Sequence, residues 1–479
     1  MKLSTESGVK TNMNIKAIAT IIISKILIKL CRFFNLGGTT FPGKVAIKLY
    51  PEILKYVSSN YKIIMVTGTN GKTTTSRIIG QILKENNISY IENKSGANLV
   101  PGVTATFIEQ YTLRGENDSK TALIEIDEAA FKVITDYIEP DILVVTNFFR
   151  DQLDRYGELY TTLKGVQIGL EKTSKTKLVL NGDDSLCVSL AKNTVKDAVY
   201  FGICDENINN DEQSNASDAA FCYYCKTKYE YRTRTFGHLG EFSCPNCGYK
   251  KPITHITCDR ILQMSNTFSE IEFAINMTSS EEPLDFFTAK INLPGLYNIY
   301  NSLAAISCGT LLGVSHESLI TALSKFECGF GRMETISIDN KKIKLILVKN
   351  PTGFNQVLSY LLTEEENLQI AFLINDNLAD GTDISWLWDV NFEKLNRLEE
   401  KIENIYTSGT RGYDMALRLK YAGLDEKKLA TEESYKKLLE SGLSNTKEGS
   451  SFYILPTYTA MLDIRKILKN KFSLKEFWQ

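Results

Sequence analysis

Lys62-Ile63-Ile64-Met65-Val66-Thr67-Gly68-Thr69-Asn70 runs directly into Gly71-Lys72-Thr73-Thr74-Thr75, and this junction decides the fold. Its first half is β-rich and ends in a glycine turn, while Lys72 to Glu85 has helical spacing. A strand that turns on glycines into a helix sets backbone N–H groups and the positive end of the helix against phosphate oxygens. Lys72 then reaches the β- and γ-phosphates, and the Thr73 hydroxyl holds Mg²⁺. The general phosphate-loop pattern wants a glycine five residues before Gly71, where Val66 stands. The stretch is therefore the narrower variant TGTNGKTTT. A chance glycine-rich turn is the plain alternative, and the strand–helix junction argues against it.

Outward from this loop, strand and helix signals alternate. TALIEIDEAA (Thr121–Ala130) reads as a buried strand followed by a helix, and DILVVTN (Asp141–Asn147) as a further strand. Short apolar runs alternating with helices predict a parallel sheet covered on both faces, continuing to about Cys204. Glu125, Asp127 and Glu128 fall at the end of one such strand. Ligands bind beyond the carboxyl ends of strands in open α/β sheets, so a carboxylate there is placed to ligate Mg²⁺ opposite the loop. Solvated strand-end acids are the competing account for each of the three.

Asp205 to Ala219 is polar and reads as a linker or exposed loop. Cys222-Tyr223-Tyr224-Cys225 and Cys244-Pro245-Asn246-Cys247-Gly248 follow, two CxxC knuckles separated by 18 residues. That spacing is the signature of a Cys₄ zinc ribbon. Four thiolates close the coordination sphere, so the expected Zn²⁺ is structural. Ordinary buried thiols and a redox disulfide pair are the alternatives. His255 and Cys258 lie outside the spacing and are read as non-ligands; Cys31, Cys187, Cys204, Cys308 and Cys328 read as small core residues. Strand and helix signals resume from Ile291 to Cys328, and a last α/β unit starts near Glu334. The expected fold class is α/β: a central ATPase domain with a parallel sheet, an inserted Cys₄ zinc ribbon, and a smaller, Rossmann-like C-terminal domain. The expected divisions are an N-terminal segment over residues 1–60, the central domain over 61–333 with the ribbon at 220–254, and the C-terminal domain over 334–479.

With 479 residues the chain has room for roughly three domains. Its 43% apolar and 23% charged residues exclude wholesale disorder. A net charge of −2 gives no global reason to seek nucleic acid. Ile15 to Phe34 is apolar but interrupted by Lys16, Lys25, Lys29 and Arg32. It is too broken to be a spanning helix, which needs about 20 mainly apolar residues, and it lacks the cleavage site of a secretory signal. A basic, partly amphipathic helix is expected. Two placements suit it: packing on the body of the protein, or resting on an anionic membrane face.

Taken together, TGTNGKTTT, TNFFRDQLDRYGE (Thr146–Glu158), LNGDD (Leu180–Asp184), GLYNIYNSLAA (Gly295–Ala305) and GRME (Gly331–Glu334) resemble the Mur ligase superfamily, which couples carboxylates to amines with ATP. Four further features narrow the resemblance to its MurT family: NKSGANLVPG (Asn93–Gly102), the Cys module between LNGDD and GLYN, VKNPTGFNQ (Val348–Gln356) and NDNLADGTDISWLWD (Asn375–Asp389). The resemblance implies an ATP-dependent amidating subunit of peptidoglycan synthesis. Such a subunit activates the α-carboxylate of D-glutamate in the lipid II stem peptide as an acyl phosphate. Ammonia from a GatD-type glutaminase then converts it to D-isoglutamine.

Carried onto this chain, the resemblance assigns nucleotide binding to Gly68, Thr69, Asn70, Gly71, Lys72, Thr73, Thr74, Asn298, Asn301 and Arg332. It assigns Mg²⁺ to Thr73 and Glu125, catalytic roles to Lys72 and Glu125, and to Asp383 the aspartate lent to the partner's Cys–His pair. Helix capping is the plain alternative for Asp383. The resemblance also implies a cytoplasmic protein, at or near the inner face of the cell membrane. Amino-acid ligases of the superfamily usually carry His where Tyr297 stands and Asp-x-x-His-Asn-Pro where Ile346–Pro351 stands, which argues against an amino acid as nucleophile. The three histidines, His238, His255 and His316, and the absence of a Gly-x-Cys-x-Gly elbow argue that ammonia comes from a second polypeptide. A stand-alone Mur-type or folylpolyglutamate-type ligase is the next alternative. A zinc-ribbon binding protein that uses ATP as a switch is the third.

Overall fold

The computed structural model describes residues 15–34, 40–93, 96–112, 120–151, 159–208, 218–277, 285–327, 332–338 and 340–472. Three helices come first among the described residues: α1 (Ile15–Phe33), α2 (Thr40–Leu49) and α3 (Ile53–Ser58). Then come β1 (Lys62–Thr67), α4 (Lys72–Glu85), β2 (Tyr90–Glu92), α5 (Val100–Gln110), β3 (Thr121–Glu125), α6 (Glu128–Ile134), β4 (Ile142–Val145), α7 (Leu159–Glu171), β5 (Lys177–Asn181), α8 (Ser185–Thr194) and β6 (Ala198–Ile203). The helix expected over Lys72–Glu85 is α4. The run KIIMVT is buried from Ile63 onward, as a strand covered on both faces requires.

A short hairpin of β7 (Glu230–Arg234) and β8 (Gly240–Ser243) precedes β9 (Ile256–Met264), β10 (Ser269–Ile275) and β11 (Phe286–Ile291). The central sheet has the order β11-β10-β9-β6-β5-β4-β1-β3-β2 among the described residues. From β2 to β9 all neighbours are parallel, whereas β10 is antiparallel to both β9 and β11. The sheet is parallel as expected through β6, which ends at Ile203, and becomes mixed only where β10 and β11 are added at one edge. Burial alternates at this end of the sheet: Ser269, Ile271 and Phe273 of β10 are buried while Glu270 and Glu272 between them are partly exposed, which is the pattern of a half-covered antiparallel strand. Helices α9 (Leu296–Leu311) and α10 (His316–Lys325) pack with α4 on one face; α1, α2, α5, α6 and α7 occupy the other.

The C-terminal unit contains β12 (Arg332–Ile338), β13 (Lys341–Ile346), α11 (Pro351–Leu361), β14 (Leu368–Leu373), β15 (Ile402–Ser408), α12 (Gly412–Tyr421), β16 (Leu429–Thr431), α13 (Tyr435–Asn445), β17 (Ser451–Pro456) and α14 (Tyr458–Phe472). Its sheet order is β12-β13-β17-β14-β15-β16, parallel apart from β12 against β13. Helix α11 starts on Pro351 and is capped by Asn350, whose Oδ1 accepts from the Gly353 N–H at 2.8 Å.

One face of α1 is buried on the body through Ala17, Thr20, Ile21, Ser24, Ile28 and Cys31. No helix of the described residues is long and apolar enough to cross a membrane. Of the expected linker, Asp205 is buried and accepts from the Ile261 N–H at 2.8 Å, while Ala219 is also buried, so both ends are anchored in the fold. Residues 209–217 lie outside the described residues, as do Cys328 and residues 152–158.

Candidate functional site

The phosphate loop hangs between β1 and α4, and two left-handed glycines shape it: Gly68 (φ 120°) and Gly71 (φ 87°). A Cβ on Gly68 would come within 2.3 Å of Thr146 Oγ1, so only glycine lets the loop close on the end of β4. From there Thr146 Oγ1 donates to the Asn70 carbonyl at 2.7 Å, and the Asn70 N–H donates to Asn147 Oδ1 at 3.0 Å. The Thr69 hydroxyl is buried and bonds the backbone of Phe149. Residues Thr67 to Thr69 and Thr73 to Ser76 are thereby held rigidly at the carboxyl end of the sheet.

Lys72 begins α4, and its Nζ donates to the carbonyl of Gly68 at 2.5 Å and to Glu128 Oε2 at 3.0 Å. Burial disfavours its charge, but Glu128, Asp127 and Glu125 outweigh that and raise its pKa above the ordinary lysine value. Burial likewise opposes ionisation of Glu128, yet Lys72 and Lys349 together hold it below the usual carboxylate range. Lys72 is therefore a fixed cation at the mouth of a helix N-terminus, the electrostatics a phosphoryl group requires. Thr73 Oγ1 donates to Glu125 Oε2 at 2.9 Å. Glu125 is itself fixed by Asn93, which pairs with its backbone N–H and carbonyl at 2.8 Å each. This hydroxyl–carboxylate pair is an all-oxygen donor set suited to a hard cation.

The three strand-end acids have separate roles. Glu125 accepts from the Thr73 hydroxyl. Asp127 caps α6 by accepting from the Ala129 N–H at 3.0 Å, and Glu128 pairs with Lys72. On the opposite wall, α9 brings buried Asn301 to the loop, and its Nδ2 donates to Asn298 Oδ1 at 3.2 Å. Asn70, Gly71, Asn298, Asn301, Tyr297 and Phe236 line one cleft with Lys349 and Gly353 of the C-terminal unit. Thr74 lines the same cleft. Arg332 opens β12; its side chain lies outside the described residues.

Several residues around this cleft lie within sequence motifs but carry no role that the sequence assigns. Lys349 Nζ sits 2.5 Å from Asp151 Oδ2, and Asn350 Nδ2 donates to Asn70 Oδ1 at 2.9 Å. These bonds tie the C-terminal unit to the phosphate loop. Asn350 followed by Pro351 is a capping signal, but its second bond, to Asn70, is visible only in three dimensions. Asp383 lies apart from this cleft, on the C-terminal unit. Its Oδ1 accepts from the Ser385 N–H at 2.8 Å and its Oδ2 from the Ser385 hydroxyl at 3.0 Å. The segment that follows is a 3₁₀ helix, Ser385–Asp389, whose first residue Asp383 holds in place.

The Sγ atoms of Cys222, Cys225, Cys244 and Cys247 all lie within 4.8 Å of one another, so the cluster is able to hold a metal ion. Sulfurs around a tetrahedral zinc at about 2.3 Å stand roughly 3.8 Å apart, and the observed pairs at 3.5 and 3.3 Å are near that spacing. All four are free thiols, so neither knuckle is a disulfide. Each knuckle closes on a left-handed residue after its second cysteine, Gly248 (φ 72°) in one and Lys226 (φ 62°) in the other. Cys222, Cys244, Tyr229, Phe242 and Tyr249 form the ribbon core with Val188 of α8, and Tyr249 Oη donates to the Ser185 carbonyl at 2.5 Å. Tyr229 and Tyr249 are thus core residues of the ribbon, whereas Tyr224 is exposed. His255 Nδ1 accepts from the Tyr200 N–H at 3.0 Å and Cys258 is buried in β9; neither joins the cluster.

From the hairpin the insertion reaches the cleft. Phe236 stacks on Phe149 (centroids 6.0 Å) and meets Tyr300 edge-on (5.8 Å). Tyr300 Oη donates to buried Asp183 at 2.6 Å, and Asp183 also pairs with Lys251 at 2.6 Å. The LNGDD stretch therefore bolts the insertion to α9.

A mixed α/β sheet with this phosphate loop, and a second α/β unit closing over it, defines a Mur ligase. Residues 66–247 match the Mur ligase middle domain model, and residues 347–461 match that of the MurT ligase C-terminal domain. The chain belongs to the MurT family of the Mur ligases. It is 34% identical to the Streptococcus pneumoniae protein described as lipid II isoglutaminyl synthase (glutamine-hydrolyzing) subunit MurT, over 91% of this chain and 93% of that protein. The Staphylococcus aureus (strain COL) protein of the same description is 32% identical over 94% of this chain and 97% of its own. Among solved structures, a pseudomurein peptide ligase type C from Methanothermus fervidus has the same fold: TM-score 0.62, 20% identity, and coverage of 88% of this chain and 81% of that one.

Proposed function

We propose that this chain is the synthetase subunit of a lipid II isoglutaminyl synthase. It uses ATP to convert the α-carboxylate of D-glutamate in the stem peptide to an acyl phosphate, which ammonia from a GatD-type glutaminase attacks to give D-isoglutamine. Near-full-length similarity to two MurT subunits supports this reading. The observation that carries it is that Lys72, Thr73 and Glu125 stand together at the start of α4, whose Gly71 and Thr74 line one cleft with Asn301.

A carboxylate is a poor acyl donor because oxide must leave. Phosphorylation makes phosphate the leaving group. Lys72 and the α4 N-terminus stabilise the charge that moves with the γ-phosphoryl. Thr73 and Glu125 would hold Mg²⁺, which would supply further neutralisation of the phosphate charge. Asn70, Gly71, Thr74, Asn298 and Asn301 line the cleft and would face the nucleotide, with Gly68 and Thr69 shaping the loop behind them; for Arg332 the family resemblance alone supports a nucleotide role. The four cysteines would hold one structural Zn²⁺. Asp383 completes the partner's Cys–His pair. The reading places the chain in the cytoplasm, where the membrane's inner face presents such a substrate.

The test is reconstitution with the glutaminase, glutamine, ATP and lipid II, followed by mass spectrometry of the stem peptide. Conversion of one acid to an amide is expected, with no incorporation of a free amino acid. Unchanged peptide in the presence of ATP turnover overturns the reading, and an added amino acid favours a stand-alone ligase.

A further inference from the structure

Helix α1 is apolar on two opposite faces. Its buried face docks on the body through Ala17, Ile21, Ser24 and Ile28. The opposite stripe, Ile15, Ile22, Ile26, Leu30 and Phe33, points outward, with Ile26 52% and Phe33 80% exposed. Phe34 and Phe41 extend it past the helix end. A surface helix normally turns charged or polar residues outward, so an outward stripe of Ile, Leu and Phe needs an apolar medium.

Charge identifies the medium. Between Ile15 and Leu49 there are six basic residues, Lys16, Lys25, Lys29, Arg32, Lys44 and Lys48, and no acidic one, although acids outnumber bases in the whole chain (57 to 55). Lys29, Lys44 and Lys48 are exposed. A second copy of this surface would bring like charges face to face, which disfavours a symmetric dimer. An anionic lipid surface satisfies both the apolar stripe and the cations flanking it.

The helix is also rigidly mounted. Lys25 Nζ donates to the carbonyls of Glu109 and Tyr111 at the end of α5, at 2.9 and 2.7 Å, and Arg32 pairs with Glu109 at 2.6 Å. Gly43 of α2 meets Pro101 so closely that a Cβ would fall 1.8 Å from its carbonyl oxygen, which locks α2 onto α5.

We propose that the outward face of α1, with the start of α2, is a monotopic docking surface for an anionic bilayer, holding the site near a lipid-borne substrate. The proposal rests on the functional reading only for that substrate; the surface stands on its own geometry. The probe is the full chain with phosphatidylglycerol/phosphatidylcholine vesicles that contain no lipid II, read by co-sedimentation. The wild type is expected to bind these and not pure phosphatidylcholine vesicles. Ile26→Glu and, separately, Lys29→Glu should each lower partitioning by at least about tenfold, with unchanged melting temperature and unchanged ATP turnover on detergent-solubilised substrate. Absence of wild-type binding, or binding indifferent to both substitutions, overturns the proposal. So does a dimer or a glutaminase complex that Ile26→Glu dissolves while vesicle binding persists. Because these vesicles carry no substrate, failure to bind is separable from failure to amidate.

Discussion

Asn301 Oδ1 stands 2.0 Å from where a Cβ on Gly71 would be, so the phosphate loop and α9 interlock at an atom that glycine lacks. Gly71 also has φ 87°, which costs other residues about 1–2 kcal/mol. Gly71→Ala should retain helical circular dichroism and weaken ATP binding by at least about tenfold, measured by calorimetry. The double variant Gly71→Ala/Asn301→Ala should lose less stability than the two single losses added, because removing the carboxamide opens the space. Strict additivity in a denaturant series would disprove the interlock.

The Lys72–Glu128 pair makes stability depend on pH at both ends. Glu128 is held below its ordinary 4.5, so its contribution is present above that pH and is lost as pH falls through the lowered value. Lys72 is raised above 10.5, so its contribution is present below that pH and is lost as pH rises through the raised value. Glu128→Gln should cost ~3 kcal/mol at neutral pH by leaving Lys72 buried without its partner. Its melting temperature should also fall less steeply than the wild type's on the acid side. Parallel acid limbs in a pH series of melting curves would remove Glu128 from this role.

Metal removal should reach the nucleotide. The Cys₄ core packs on α8, and the same insertion places Phe236 in the cleft wall. Metal analysis should return one zinc per chain. Stripping it, or Cys244→Ser, should lower the melting temperature by several degrees and weaken ATP binding, whereas Lys72→Ala should keep its zinc. Folded, zinc-free protein with unchanged ATP affinity would refute the link.

Asp383 offers a clean separation of turn and chemistry. Asp383→Asn retains one oxygen for the Ser385 N–H and so preserves the turn. Glutamine-dependent amidation should drop well below ammonium-dependent amidation. Equal losses with both nitrogen sources would show that Asp383 does not serve the glutaminase.

At the domain junction, Lys349 lies beside Asp151 and adds to the field on Glu128. Lys349→Met should raise KM for ATP, and the difference from wild type should shrink as salt rises, because the pair is partly exposed. A salt-independent effect on KM would point to packing instead.

Contiguous residues wrote much of this protein locally. The phosphate loop and α4 are legible because strand, glycine turn and helix follow one another without a gap, and the ribbon is legible because thiol spacing alone sets a metal cage. Tertiary structure decided the rest. In sequence Glu125, Asp127 and Glu128 are equivalent acids; only the packing of α6 makes one a cap, one the partner of Lys72 and one the partner of Thr73. Burial alternates along β10 and β11, but alternation within a strand does not say which strand it pairs with, and the antiparallel edge depends on that pairing. Phe236 enters the cleft through a hairpin, and Asn350 meets Asn70 across 280 positions. A hydrogen bond between residues so far apart leaves no periodicity or spacing in the chain, because what brings them together is the burial of two separate sheets against their helices.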